Sequence, residues 1–148
     1  LGHKLKDKEH IFCIGRGVSH ASALEAALKI KEVTYIHAEG FAGGELKHGT
    51  LALIEDGTPC ITLLAEDETK EEIISNAMEI RARGGYIIGI SSQRHDVFHE
   101  WIPIPNIPPL LSPIINILPL QLMSYYMCMK RGYDPDKPRN LAKSVTVK

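Results

Sequence analysis

The chain has 148 residues, enough for one domain with a buried core, and its 44% hydrophobic and 24% charged residues are typical of a globular protein. Its formal net charge is −1 and its lysines and arginines are scattered, which argues against a polyanion-binding protein, so we expect no nucleic-acid partner. No uninterrupted apolar run approaches the length needed to cross a bilayer, and the N-terminus lacks the apolar stretch of a signal peptide, so we expect no membrane partner and a cytoplasmic location.

The three cysteines, Cys13, Cys60 and Cys128, each lie in an apolar run. An odd number of cysteines without clustered spacing fits neither a disulfide framework nor a metal cluster. We therefore expect all three to be buried free thiols.

The chain begins with the pattern of a parallel α/β fold. Residues 10–14 form a short apolar run that ends at Gly15-Arg16-Gly17, which predicts a strand, a turn and a following helix. The start of such a helix can bind anions. The dinucleotide fingerprint G-x-G-x-x-G is incomplete because His20 stands at the third glycine position, so evidence for a nucleotide site is weak.

The helix predicted in the first half of residues 19–49 carries a charged stripe. Glu25, Lys29 and Glu32 are spaced four and three residues apart, so they fall within about 60° of one another on a helix. From spacing alone the stripe is either a solvated face with ordinary ion pairs or part of a site. Ser22-Ala-Leu-Glu25 also fits a capping box, which would give Glu25 a structural role. The opposite side is small or apolar and suited to packing on a sheet, with Ala23, Ala27, Ile30 and Thr34.

The later elements continue the alternation. We expect strands at 35–39, 59–65, 86–90 and 101–104, the last at a sheet edge because of its prolines, and helices at 68–83 and 112–130. Ser112 is the predicted N-cap of the last helix, and Pro119 lies inside that helix. The pattern predicts a three-layer α-β-α fold with a five-stranded parallel sheet. Ligands of such sheets bind beyond the strand C-termini, where we place the Gly15-Arg16-Gly17 turn, a turn at 39–49 and Ser91-Ser92.

Two short histidine-containing patterns are candidate sites. Glu45-Leu46-Lys47-His48-Gly49 gathers an acid, an amine and an imidazole within five residues, near the expected ligand edge. His95 and His99 are four apart and could form a metal pair on a helix, but no third ligand is near them in the sequence. We expect no metal site.

Two long segments resemble a known family. LEAALKIKEVTYIHAEGFAGGELKHG and PLQLMSYYMCMKRGYDPDKPRNLAKSVTVK are similar to the second sugar-isomerase (SIS) domain of the glucosamine-6-phosphate synthases, which are isomerising glutamine:fructose-6-phosphate aminotransferases of hexosamine biosynthesis. The resemblance implies a flavodoxin-like SIS domain over residues 1–148 with a catalytic tail at about 133–148. It also implies that a glutaminase domain and a first SIS domain are missing, that no cofactor is used, and that this fragment is inactive alone.

The resemblance assigns the two main chemical steps. Lys143, in RNLAKSVTV, matches the lysine that forms a Schiff base with open-chain fructose 6-phosphate on the way to glucosamine 6-phosphate. Glu32, in LKIKE, matches the base that moves a proton between C1 and C2. Without the motif, Lys143 would be interpreted as an ordinary surface lysine.

The remaining site residues also follow from the resemblance. His48, in ELKHG, matches the imidazole that opens the sugar ring and comes from the neighbouring subunit, which implies a homodimer with shared active sites. Lys29 matches a lysine that lines the substrate site. Three glutamates are candidate supporting residues: Glu25, Glu39 and Glu45.

The chain departs from the family at two positions, and two other functions remain open. Thr50 replaces the usual proline after ELKHG, and Lys148 replaces the usual final glutamate. One alternative is a non-catalytic sugar-phosphate-binding SIS module, which would not need Glu32, His48 and Lys143 together. The other is a scaffold that mainly dimerises and positions the tail.

Overall fold

Five strands form one parallel sheet in the computed structural model of the chain, which describes residues 1–141. The strands are β1 (His10–Gly15), β2 (His37–Ala42), β3 (Pro59–Leu63), β4 (Tyr86–Ser91) and β5 (Glu100–Pro103), in the order β2-β1-β3-β4-β5. The helices are α1 (Gly2–Leu5), α2 (Val18–Thr34), α3 (Lys70–Arg81) and α4 (Ser112–Lys130). Short 3₁₀ segments lie at Gly43–His48, Thr50–Leu53 and Pro109–Leu111. The predicted three-layer fold and the edge position of the last strand are confirmed.

Each face of the sheet has its own apolar core. Ile11 and Cys13 pack on the face that α2 and α4 cover, whereas Phe12 and Ile14 pack on the face that α3 covers. Both faces are buried, which is why the central strands are almost continuously apolar. The three cysteines are buried and free as expected, and burial raises the pKa of the Cys60 thiol to about 12.

Helix α2 lies very close to the sheet. The predicted inward face is confirmed, since Ala23, Ala27, Ile30 and Thr34 are all buried. A Cβ on Gly40 of β2 would lie 2.5 Å from the Ala23 carbonyl oxygen, so only glycine fits under the helix there. The helix begins at Val18 after Gly17, which places Ser22 inside it, so the predicted capping box is wrong.

Helix α4 starts and stops through backbone geometry. Leu111, not the predicted Ser112, is the N-cap, and no side chain caps this end. The helix continues through Pro119 and ends at Lys130, with Arg131 as its C-cap. Gly132 follows with a φ of 77°, which favours glycine. There the Tyr133 N–H donates to the Cys128 carbonyl at 3.1 Å, which forms the Schellman motif.

Helix α4 is also more apolar than the sequence analysis expected. By length and composition the 22-residue stretch Pro109–Lys130 could span a bilayer. A single such helix is weak evidence for a membrane span, because the core helix of a globular protein has the same length and composition. Here Leu120 and Met127, on the inner face of the helix, are fully buried in the domain. The opposite face carries exposed apolar side chains, which we call the α4 outer face: Leu111, Ile114, Leu118, Leu122, Tyr125, Tyr126 and Met129.

Several boundaries differ from the prediction. Strand β2 runs through Glu39, so the turn expected at 39–49 begins only at Gly43. Helix α3 is shorter than the predicted 68–83 by two residues at each end. His95 and His99 do not lie on a helix. Instead, His99 Nδ1 accepts a hydrogen bond from the Ile87 N–H at 2.9 Å, just before β5.

Candidate active site

The charged stripe of α2 is a compact ion cluster. Lys29 donates to a Glu32 carboxylate oxygen at 2.7 Å and lies 3.5 Å from a Glu25 oxygen. The hydrogen bond to Glu32 raises the pKa of Lys29 above its usual value, although burial opposes this shift. Lys29 therefore remains an ammonium ion at neutral pH, and it neutralises and orients two carboxylates rather than acting as a nucleophile.

The stripe runs away from the edge of the sheet at which the strands end. Helix α2 starts beside the C-terminal end of β1 and runs back along the sheet. At a rise of about 1.5 Å per residue, Glu32 lies roughly 20 Å further along the helix than Val18. Glu32 is therefore near the N-terminal ends of the strands, away from the edge where the Gly15-Arg16-Gly17 turn lies.

An open groove runs beside the stripe between α2 and α4. Its volume is about 390 Å³, and Glu25 contributes the charged group of its lining. The other lining residues are mostly small or apolar: Ala21, Ser22, Pro113, Ile114, Ile117 and Gln121. The groove thus presents a carboxylate at the border of the α4 outer face.

The 3₁₀ segment Gly43–His48, called here the His48 segment, lies on the other face of the sheet. Leu46 is fully buried in the core that includes Ile73 of α3, and Lys47 lies 3.1 Å from a Glu79 oxygen of the same helix. The His48 imidazole is exposed, and its Nδ1 lies 2.8 Å from a Glu45 carboxylate oxygen. This contact directs the other ring nitrogen away from Glu45.

Glu32 and His48 of one chain are therefore separated by the sheet. The α2 stripe belongs to the layer of α2 and α4, whereas the His48 segment packs on α3. One chain alone does not bring these two predicted catalytic residues together.

The C-terminal segment returns to the end of α2. The Arg139 N–H donates to the Tyr35 hydroxyl at 2.9 Å, and the Arg139 guanidinium lies 3.9 Å from the centre of the Tyr35 ring. Tyr133 packs edge-on against the same ring, with centroids 4.8 Å apart. Tyr35 follows Glu32 by three residues, so the chain approaches the stripe. Lys143 lies outside the described residues.

The supporting glutamates are distributed over different parts of the domain. Glu25 belongs to the α2 ion cluster, and Glu45 contacts His48. Glu39 is exposed in edge strand β2 and forms no ion pair within residues 1–141. In the same part of the chain, no three His, Cys, Asp or Glu side chains are grouped so that they could hold a metal ion.

Sequence reasoning missed three residues that organise these groups: Tyr35, Arg139 and Arg16. Tyr35 and Arg139 form the contact that holds the C-terminal segment. Arg16 donates to Asn76 of α3 at 3.0 Å and pairs with Glu72. The only sequence signal was that Arg16 stands between two glycines and that Arg139 opens the RNLAK motif.

The parallel sheet, the covered faces and the polar helix face define a domain of the sugar-isomerase type. The SIS domain profile matches residues 4–131, and the chain belongs to this family. Curated relatives include the isomerising glutamine–fructose-6-phosphate aminotransferases of Pyrococcus horikoshii and Thermococcus kodakarensis, which are 51% and 50% identical over 97% and 99% of this chain. The chain spans about a quarter of the length of these relatives, 24% and 25%.

A solved structure gives the same result. The C-terminal domain of glucosamine-fructose-6-phosphate aminotransferase from Francisella tularensis is 35% identical and superimposes with a TM-score of 0.86. The match covers 92% of this chain and 40% of that one. The family and fold expected from the sequence are confirmed.

Proposed function

We propose that residues 1–148 form the second SIS domain, with its catalytic tail, of an isomerising glutamine:fructose-6-phosphate aminotransferase. The whole enzyme would act in the cytoplasm and make glucosamine 6-phosphate. The observation that carries the proposal is the contact of Arg139 with Tyr35, because it directs the C-terminal segment toward the α2 ion cluster. The high identity to aminotransferases of that class supports the same reaction.

Lys143 is the proposed nucleophile. It follows Arg139 by four residues, and four extended residues span at most about 14 Å. This short separation supports the proposal that its amine acts beside the α2 ion cluster. Attack on the C2 carbonyl of open-chain fructose 6-phosphate releases water and leaves an iminium, which acidifies the C1 protons.

Glu32 is the proposed base for the transfer from C1 to C2. A carboxylate can take a proton from one carbon and return it to the next when it is within hydrogen-bond distance of both. Lys29 holds this carboxylate at 2.7 Å and keeps it from rotating freely. Glu25 supports the cluster by sharing the same ammonium group.

His48 is proposed to open the sugar ring in the active site of the partner subunit of a homodimer. The support is geometric, because His48 and Glu32 of one chain lie in different layers of the fold. The Glu45 contact leaves Nε2 of the exposed imidazole available to exchange a proton with the sugar.

The rest of the enzyme is proposed to cover the α4 outer face. Seven large apolar side chains are exposed on this short surface, and such patches usually mark an interface. The first SIS domain of the full chain is the proposed occupant, and the glutaminase domain would supply ammonia. The fragment is then inactive alone. This face also favours the second candidate function, a non-catalytic domain that acts mainly as a scaffold.

Borohydride trapping distinguishes the two candidates. Full-length enzyme containing this domain is treated with fructose 6-phosphate and borohydride, and the modified peptide is identified by mass spectrometry. Catalysis predicts a reduced sugar adduct on Lys143 that is absent in Lys143→Arg. A scaffold predicts no adduct on Lys143 and unchanged turnover in Lys143→Arg.

A further inference from the structure

Arg16 connects the turn after β1 to helix α3. Its Nε donates to Asn76 Oδ1 at 3.0 Å, and its Nη1 forms an ion pair with Glu72 one helical turn earlier. The Arg16 side chain is only 27% exposed. A guanidinium is planar and carries its donors in a fixed geometry, so these two bonds set its position more rigidly than a lysine could.

The first residues of the His48 segment lie directly on this Arg16–Asn76 pair. A Cβ built on Gly43 would lie 2.4 Å from Asn76 Oδ1 and 3.3 Å from Arg16 Cγ. At Gly44, the nearest atom to such a Cβ is Arg16 Nη2 at 3.6 Å. The backbone at the start of the segment therefore rests on the guanidinium and the amide.

The other end of the segment is held separately. Leu46 is fully buried against the α3 core, and Lys47 pairs with Glu79 at 3.1 Å. Arg16 thus packs against one of the two ends of the short segment that presents His48.

We propose that Arg16 is a positioning residue that sets the height and angle of His48 through Gly43 and Gly44. The inference rests on the proposed function, in which His48 enters the partner's active site. It makes a specific prediction for the dimer. Replacing Arg16 in one chain must impair the active site that contains His48 of that chain. The replacement must leave the active site that contains Glu32 of that chain intact.

Heterodimers of the full-length enzyme test this demand. Two differently tagged chains are co-expressed, the mixed dimers are purified, and conversion of fructose 6-phosphate is measured. Arg16→Met paired with Glu32→Gln leaves one intact site, so we expect about half of the wild-type activity. Arg16→Met paired with His48→Ala leaves no intact site, so we expect no gain over the Arg16→Met homodimer. When His48→Ala paired with Glu32→Gln regains activity, the reverse pattern or failure of both Arg16 pairs overturns the proposal.

Matched controls separate the possible failures. His48→Ala paired with Glu32→Gln must regain about half of the activity, otherwise the shared site of the proposed function is wrong. In that case Arg16 is judged by amide hydrogen exchange over residues 43–48, which Arg16→Met must accelerate. Unchanged exchange overturns the inference whether or not the site is shared.

Kinetic constants distinguish positioning from general stability. In the Arg16→Met homodimer we expect kcat to fall about tenfold with KM within twofold, and Arg16→Lys to recover only part of the loss. Arg83→Met is the control and should behave as wild type, since the exposed Arg83 side chain bonds only to the Glu79 backbone carbonyl within residues 1–141. An equal loss in Arg83→Met, or wild-type kcat in Arg16→Met, contradicts the inference.

Discussion

Arg139 and Tyr35 join the C-terminal segment to the end of helix α2 by two different contacts. The Arg139 N–H donates to the Tyr35 hydroxyl at 2.9 Å, and its guanidinium lies 3.9 Å from the ring centre. Tyr35 and Asn140, which follows Arg139, both have φ near +60°, a conformation that is unusual without glycine. Two residues with unfavourable backbone conformations therefore lie at this one contact. Arg139 precedes Lys143 by four residues.

Replacing Tyr35 should impair catalysis more than stability. Tyr35→Phe removes the hydrogen bond and keeps the ring, so we expect a loss in kcat of about threefold to tenfold from a bond of roughly 1 kcal/mol. Tyr35→Leu also removes the cation–π contact, and a further loss of several-fold is expected. Turnover of the full-length enzyme checks this, and equal kcat in both variants would show that the ring contact is irrelevant.

Lys29 should stabilise the folded chain only while it is charged. Its pKa is raised above 10.5 by Glu32 in the folded state, so the ion pair contributes below pH 10.5 and is lost as the pH rises through the raised value. We expect Lys29→Met to lower the unfolding free energy by about 1 kcal/mol or less near pH 8, with the difference shrinking at alkaline pH. Urea unfolding between pH 8 and pH 11 measures this. Lys31→Met, at an exposed position on the same helix, is the matched control and should show no such pH dependence.

The Glu66 carboxylate should influence the pH at which the chain unfolds in acid. Burial raises the pKa of Glu66, but hydrogen bonds from Lys70 at 2.7 Å and Ser92 at 2.6 Å outweigh it and bring the pKa below the usual 4.5. The contribution is therefore present above pH 4.5 and lost as the pH falls through the lowered value. Ser92→Ala should shift acid unfolding to higher pH, as followed by circular dichroism. Glu68→Gln, which removes an exposed carboxylate in the same loop, should leave the acid transition in place.

The two glycines at the start of the His48 segment should differ in their tolerance of a methyl group. Gly43→Ala places a Cβ 2.4 Å from Asn76 Oδ1, so either the segment or α3 has to move. Gly44→Ala meets its nearest atom at an ordinary 3.6 Å and is the matched control. We expect a loss of at least tenfold in full-length kcat for Gly43→Ala and less than twofold for Gly44→Ala. Similar losses in both would mean that the fit against α3 does not control activity.

Substitutions of two leucines of α4 should distinguish its buried face from the α4 outer face. Leu120 is fully buried, so Leu120→Ala should lower the unfolding free energy of the isolated chain by about 2–5 kcal/mol. Leu122 is 59% exposed, so Leu122→Ala should change it by no more than about 0.5 kcal/mol. In the full-length enzyme Leu122→Glu should lower stability, because the proposed first SIS domain covers this face. Chemical denaturation of both forms measures the difference, and an unaffected full-length enzyme would exclude that interface.

Local patterns predicted the elements well. The apolar runs and glycine turns indicated all five strands and the three long helices, and the 3.6-residue period identified both the buried face of α2 and the Glu25-Lys29-Glu32 cluster. The predicted starts of the helices were less accurate, as at Ser22 and Ser112. Backbone geometry and packing set these helix starts, and neither residue caps its helix through its side chain.

The amino-acid sequence by itself determined the family, the alternation of strands and helices, and which side of α2 is charged, since these depend on residues close in the chain. Only the tertiary structure decided where the charged groups lie relative to one another. Burial of Leu46 against α3 puts the His48 segment on one face, while α2 carries Glu32 along the other. Such placement depends on contacts between residues far apart in the chain, and the periodicity of a short segment does not predict those contacts.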